Sequence, residues 1–75
     1  MRPSDLPSYE PYLVSKTIHG IEEWWIQQGF RQVTAGNLSE CLEHARRWFP
    51  HMTLMRYWND DDEQFESEFD ITRKD

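Results

Sequence analysis

The clearest helical period in this 75-residue chain lies in residues 37–49. Leu38, Cys41, Leu42, Ala45, Trp48 and Phe49 recur at i, i+3, i+4 and i+7, which lines one side of a helix with apolar groups. The boundaries are written as well. Asn37 and Glu40 have capping-box spacing, each able to satisfy a backbone N–H of the other. Gly36 permits a tight entry and Pro50 stops the helix. Glu40 in the first turn and Arg46 and Arg47 in the last complement the helix dipole. Glu43 and Arg47 make a favourable i, i+4 pair.

The remaining apolar residues mostly alternate. In residues 12–34, Tyr12, Val14, Lys16 and Ile18 alternate with Leu13, Ser15 and Thr17. His19 and Gly20 fit a two-residue turn between two isoleucines. Residues 21–27 then read as a returning strand, Gln28 and Gly29 as a second turn, and residues 30–35 as a third strand. A helix over residues 15–28 is the rival, since Ile18, Ile21 and Trp25 have helical spacing and Gly29 suits its end. The meander is preferred because Gly20 would cost a helix interior about 1 kcal/mol. Residues 52–58 read as a strand with Leu54, Arg56 and Trp58 on one side and Met55 and Tyr57 on the other. After an acidic loop at 59–63, residues 64–71 put Phe65, Ser67, Phe69 and Ile71 on one face and Gln64, Glu66, Glu68 and Asp70 on the other. The fold expected is α+β: a small, mainly antiparallel sheet made of a three-strand meander and a C-terminal β-hairpin, with one amphipathic helix packed on it. The helix stripe should meet Val14, Ile18, Val33, Phe65, Phe69 and one of Leu54 or Met55. Residues 1–11, with Pro3, Pro7 and Pro11, read as a flexible or extended arm, and residues 12–75 as a single domain.

A chain this short buries about 60% of the surface its unfolded form exposes, so its core is small. Eleven aromatic residues enlarge that core, and some of them must reach the surface. Cys41 is the sole cysteine, which excludes an intramolecular disulfide and fits a reducing compartment. No apolar run follows Met1 and no stretch approaches the ~20 apolar residues of a membrane span. A soluble, cytoplasmic protein is expected.

Charge is segregated. From Asn59 onward there are eight acids and two bases, whereas residues 1–58 hold six of each, so the net charge of −6 lies in the last seventeen residues. An acidic balance argues against direct binding to nucleic acid, which needs basic surface. It suits a partner of opposite sign. On one strand face, Glu66, Glu68 and Asp70 would stand about 6.6–6.8 Å apart, a row resembling the phosphates of a nucleic-acid strand. The plainer expectation is a solvated edge strand kept charged against aggregation. Asp60, Asp61, Asp62 and Glu63 lack the glycine and the spaced twelfth-position glutamate of an EF-hand loop, so no metal is expected there.

Trp24 and Trp25 point to opposite faces if they lie on a strand. Either could anchor an interface, or the helix and the arm could cover one each. Cys41 and His44 are three apart on the helix but lack a second pair to complete a zinc set, so they read as a core thiol and a surface histidine. Arg46, Arg47 and Arg56 alternate with Trp48 and Trp58, a pattern that can bind single strands, but acidic residues lie close to them. No phosphate loop, dinucleotide fingerprint, nucleophile elbow or zinc-protease motif occurs, and no catalytic residue or cofactor site is assigned.

The expectation is a small acidic non-catalytic protein-binding module, an inhibitor or nucleic-acid mimic that docks on a basic surface of a larger, nucleic-acid-processing protein. Its partner-binding residues would be Asp60, Asp61, Asp62, Glu63, Glu66, Glu68 and Asp70, with Trp24 and Trp25 as anchors. In size, acidity and lack of motifs the chain is similar in general style to small phage-encoded inhibitors, including anti-CRISPR proteins and DNA mimics. That likeness is one of composition across the whole chain. The alternative is a self-associating structural or assembly protein, a homodimer for example, built on Trp24, Trp25 and Trp58.

Overall fold

The computed structural model describes residues 1–73. Leu38–Trp48 form helix α1, capped as its sequence predicts. The Asn37 side chain accepts the Glu40 N–H at 2.8 Å, and the Glu40 carboxylate accepts the Asn37 N–H at 3.1 Å. Cys41 and Ala45 are its fully buried residues.

Three strands precede it: β1 (Pro11–Ile18), β2 (Ile21–Gln28) and β3 (Arg31–Gly36). Residues 15–28 are therefore strands and not a helix. His19 (φ +52°) and Gly20 (φ +79°) are both left-handed, the requirement of a type I′ hairpin turn, and Ile18 pairs with Ile21 across it. The second turn is displaced by one residue from the sequence expectation. Gln28 pairs with Arg31, so Gly29 and Phe30 form the turn and Phe30 lies outside β3 with its ring in solvent. Gly29 carries the positive φ (+61°), and a Cβ there would lie 2.9 Å from the Ser8 carbonyl oxygen. Between the Ile26–Thr34 and Gln27–Gln32 pairs, Val33 is one residue too many. This bulge twists β3, an edge strand, and so discourages pairing with another chain.

Four short strands follow α1: β4 (Leu54–Met55), β5 (Tyr57–Asn59), β6 (Gln64–Phe65) and β7 (Phe69–Asp70). They divide between a five-stranded sheet, β3-β2-β1-β5-β6, and a two-stranded one, β4-β7. The larger sheet is mixed, because β5 runs parallel to β1. A parallel neighbour needs a long crossover, which β2, β3 and α1 supply. The fold is thus α+β and mostly sheet, but the C-terminal hairpin is inserted beside β1 and split between two sheets.

The split corrects the expected hairpin. Trp58 opposes Phe65, and strict continuation would set Met55 opposite Glu68. Met55 instead opposes Phe69. One extra residue lies in the return limb, and a slip of one exchanges the faces. Phe65 packs on one face of the sheet, while Phe69 and Ile71 pack on the other.

Both faces of the large sheet are covered. Under α1 lie Leu13, Ile26, Met55, Tyr57 and Ile71, with Trp24, Val33 and Phe69 partly buried beside them. On the opposite face Tyr12, Val14 and Trp58 pack with Leu6 of the N-terminal segment, flanked by Trp25 and Phe65. Residues 1–11 hold a 3-10 turn at Pro3–Asp5 before β1 begins at Pro11. The helix stripe therefore meets Leu13 in place of Val14. Phe65 lies across the sheet from it and Ile18 is exposed, while Val33, Phe69 and Met55 are where they were expected.

Candidate functional site

The acidic loop after β5 is held in one shape by its own side chains. The Asn59 side-chain oxygen accepts the N–H groups of Asp61 (3.1 Å) and Asp62 (3.4 Å), and its amide donates to Asp62 (3.3 Å) and Glu66 (3.0 Å). Asp60 donates its backbone N–H to the Ser15 carbonyl at 2.9 Å. The Asp60 carboxylate accepts the Trp58 indole N–H at 3.0 Å and pairs with Lys16 at 3.3 Å. The Asp61 carboxylate accepts the backbone N–H of Thr17 (3.1 Å to either oxygen) and its hydroxyl (2.8 Å). Two of the four loop acids thus tie the loop to β1. Asp62 and Glu63 are exposed, and Glu63 holds a left-handed backbone (φ +50°).

Carboxylates from three parts of the chain surround the Tyr57 phenol. Burial pushes this group up, and the Ser15 hydroxyl that bonds to it opposes the rise. The charges of Glu66, Glu22 and Asp61 raise it further. Glu22 was not among the expected site residues. It reaches this end of the sheet because Thr17, the anchor of Asp61, pairs with Glu22 across the first hairpin. Its carboxylate accepts the Trp24 indole N–H at 2.7 Å. The Tyr12 phenol on the other face is also raised, first by burial and then by Asp60.

The expected row of Glu66, Glu68 and Asp70 is not formed. The strand is interrupted from Glu66 to Glu68, and the three residues separate. Glu66 belongs to the loop cluster through Asn59. Asp70 lies in β7, where its carboxylate accepts the Thr72 N–H at 2.8 Å and its carbonyl accepts from the Arg46 guanidinium at 3.2 Å. Glu68 faces a groove lined also by Tyr9 and Glu10. Trp24 and Trp25 do point to opposite faces. Trp24 stacks on Tyr57 (ring centroids 5.1 Å apart) and meets Phe69 edge-on, while Trp25 donates to Gln27 at 3.1 Å and packs beside Val14 and Trp58. Both are half-buried, and Trp58 is buried.

Exposed aromatic surface lies elsewhere, at Phe30 of the second turn and along a groove. A groove of about 570 Å³ opens between the start of β1 and the segment from Trp48 to Leu54. Tyr9, Trp48 and Leu54 line it and are 76%, 48% and 53% exposed. Phe49, Pro50 and Met52 continue its wall, with Glu10, His51, Arg56 and Glu68 around it. Arg56 pairs with Glu10 at 3.3 Å. The groove begins at Pro11 and the acidic loop is bound at Thr17. Six residues of extended strand separate these ends by about 20 Å.

Cys41 is buried in the core, where burial and then Glu40 raise its thiol pKa. His44 packs on Trp48, ring centroids 5.0 Å apart. Among the described residues no group of three or more His, Cys, Asp or Glu is placed to hold a metal ion, and no helix is long and apolar enough to cross a membrane. Comparison with protein-family models, curated proteins and solved structures finds no match to this chain.

Proposed function

We propose that the protein is a small non-catalytic binding module that docks by charge on a basic surface of a larger protein. A protein that handles nucleic acid is the natural class of partner, because its binding surface is basic. The observation that carries this reading is the fixed acidic loop. Asp60 and Asp61 are consumed in fastening it, and Asn59 holds Asp62 and Glu66 together, with Glu66 and Glu22 both acting on the Tyr57 phenol and Glu63 exposed on the same loop. A pre-shaped cluster loses less entropy on binding than a loose acidic tail would. Mimicry then takes the form of a compact patch and not of a regular strand of charge. Self-association is the second reading; its exposed aromatics are Phe30, Tyr9 and Trp48, since Trp24, Trp25 and Trp58 are largely covered.

A tagged pull-down from the native host lysate at low and high salt tests the proposal, with wild type compared to Asp62→Lys/Glu63→Lys/Glu66→Lys. Wild type should retain a partner at low salt that both high salt and the charge reversals release. Retention unaffected by either would reject it. Light scattering over a concentration series addresses the second reading, for which a dimer indifferent to salt is expected.

A further inference from the structure

We propose that the groove between Tyr9 and Leu54 is a second docking site, whose occupant is an extended segment of the basic partner carrying an apolar side chain next to a lysine or arginine. This rests on the docking reading for the identity of the partner, but it has its own structural basis. Tyr9, Trp48 and Leu54 expose apolar surface together around one groove, whereas the other exposed apolar side chains of the sheet, Ile18, Ile21 and Phe30, lie in or beside its two hairpin turns. The volume, about 570 Å³, lies within the ~300–1,000 Å³ of ligand-holding clefts and admits one side chain with the stem of a neighbour.

Charge selects the occupant. Arg56 is engaged by Glu10 at 3.3 Å and also donates to the Met1 sulfur. Glu68, exposed on the groove, makes no ion pair among the described residues. An apolar floor with an unpaired carboxylate beside it fits a long cationic side chain, which lays its methylenes on Trp48 and Leu54 and its head on Glu68. A second copy of this chain fits poorly, since it brings a further charge of −6 to a carboxylate. The arrangement also gives Glu68 a role apart from Glu66 and Asp70. Glu66 belongs to the steering cluster through Asn59, and Glu68, two residues further along the chain, lines the groove.

The test is a titration of isotope-labelled full-length protein with capped Lys-Phe-Lys and, separately, capped Glu-Phe-Glu, followed by amide and side-chain NMR shifts. The cationic peptide should move the signals of Trp48, Leu54 and Tyr9 and saturate, with the anionic peptide at least several-fold weaker. Glu68→Gln should weaken the cationic peptide about three- to fivefold, the scale of one exposed ion pair, while the melting temperature holds. Leu54→Ser, at an exposed position, removes apolar floor without adding charge and should weaken the response several-fold with the fold intact. Equal binding of both peptides, no binding of either, or shifts confined to residues 59–66 would overturn the proposal. The loop reversal Asp62→Lys/Glu63→Lys, which spares Glu66 beside Glu68, should leave the groove response unchanged. If salt-dependent partner capture survives while the peptides fail, this inference alone falls. If the peptides bind and capture ignores salt, the docking reading falls instead.

Discussion

The carboxylate of Asp61 accepts both the backbone N–H and the hydroxyl of Thr17, a residue 44 positions earlier in the chain. That contact joins the acidic loop to the first hairpin and turns a run of like charges into an ordered surface. Asp61→Ala should cost about 1 kcal/mol, less than the ~1.5–3 kcal/mol typical of a hydrogen-bonded charge because the site is exposed. Urea unfolding of Asp61→Ala, Thr17→Val and the double variant measures it. The double variant isolates the hydroxyl bond, since Thr17→Val keeps the backbone N–H, and no loss of stability in Asp61→Ala would mean that the contact does not hold the loop.

The two sides of β1 differ in partner but not in burial. Leu13 lies under α1 and Val14 under Leu6 and Trp58, whereas Ile18 is exposed. Leu13→Ala should cost about 2–5 kcal/mol, against a total stability of about 4–11 kcal/mol expected for a domain of this length. Ile18→Ala should cost less than about 1 kcal/mol. Denaturation midpoints of the two variants decide it, and equal losses would contradict the difference in burial.

The capping box predicts a graded response at the start of α1. Asn37→Ala should lose about 1 kcal/mol, Asn37→Asp much less, because Asp retains the acceptor for the Glu40 N–H. Thermal melts followed by circular dichroism read the difference.

Burial holds the phenols of Tyr12 and Tyr57 above the ordinary value of about 10. The folded protein keeps these protons at pH values where the unfolded chain has released them. Their contribution to stability is therefore complete below pH of about 10 and is lost as pH rises through the folded values. Denaturant midpoints measured across that range should fall, and Tyr57→Phe should fall less steeply than wild type. A Tyr57→Phe profile parallel to wild type would show that this phenol does not contribute.

Much of the fold could be read from local chemistry. Asn37, Glu40 and Pro50 mark the helix, and His19 and Gly20 mark the first turn, because each acts within a few residues. The faces of β1 were not readable, since Tyr12 to Ser15 are all buried and alternation then carries no signal. The parallel placement of β5 depends on a long crossover with no local mark. The extra residue in the return limb was hidden for a related reason. Phe65, Phe69 and Ile71 satisfy strand period equally well with or without a slip, and only their packing on opposite faces distinguishes the two. At the candidate site, the acidic loop was visible as composition, but its division between fastening and exposed acids was not. Glu22 and the groove residues Tyr9, Trp48 and Leu54 are assembled by tertiary structure alone.

The most direct measurement is the association rate of the captured partner as a function of ionic strength, for wild type and for Asp62→Lys/Glu63→Lys/Glu66→Lys. Steering by the acidic cluster predicts a steep decline with salt for wild type, and a slower, flatter profile for the reversed variant, with both proteins equally folded. Superimposable profiles would contradict the account.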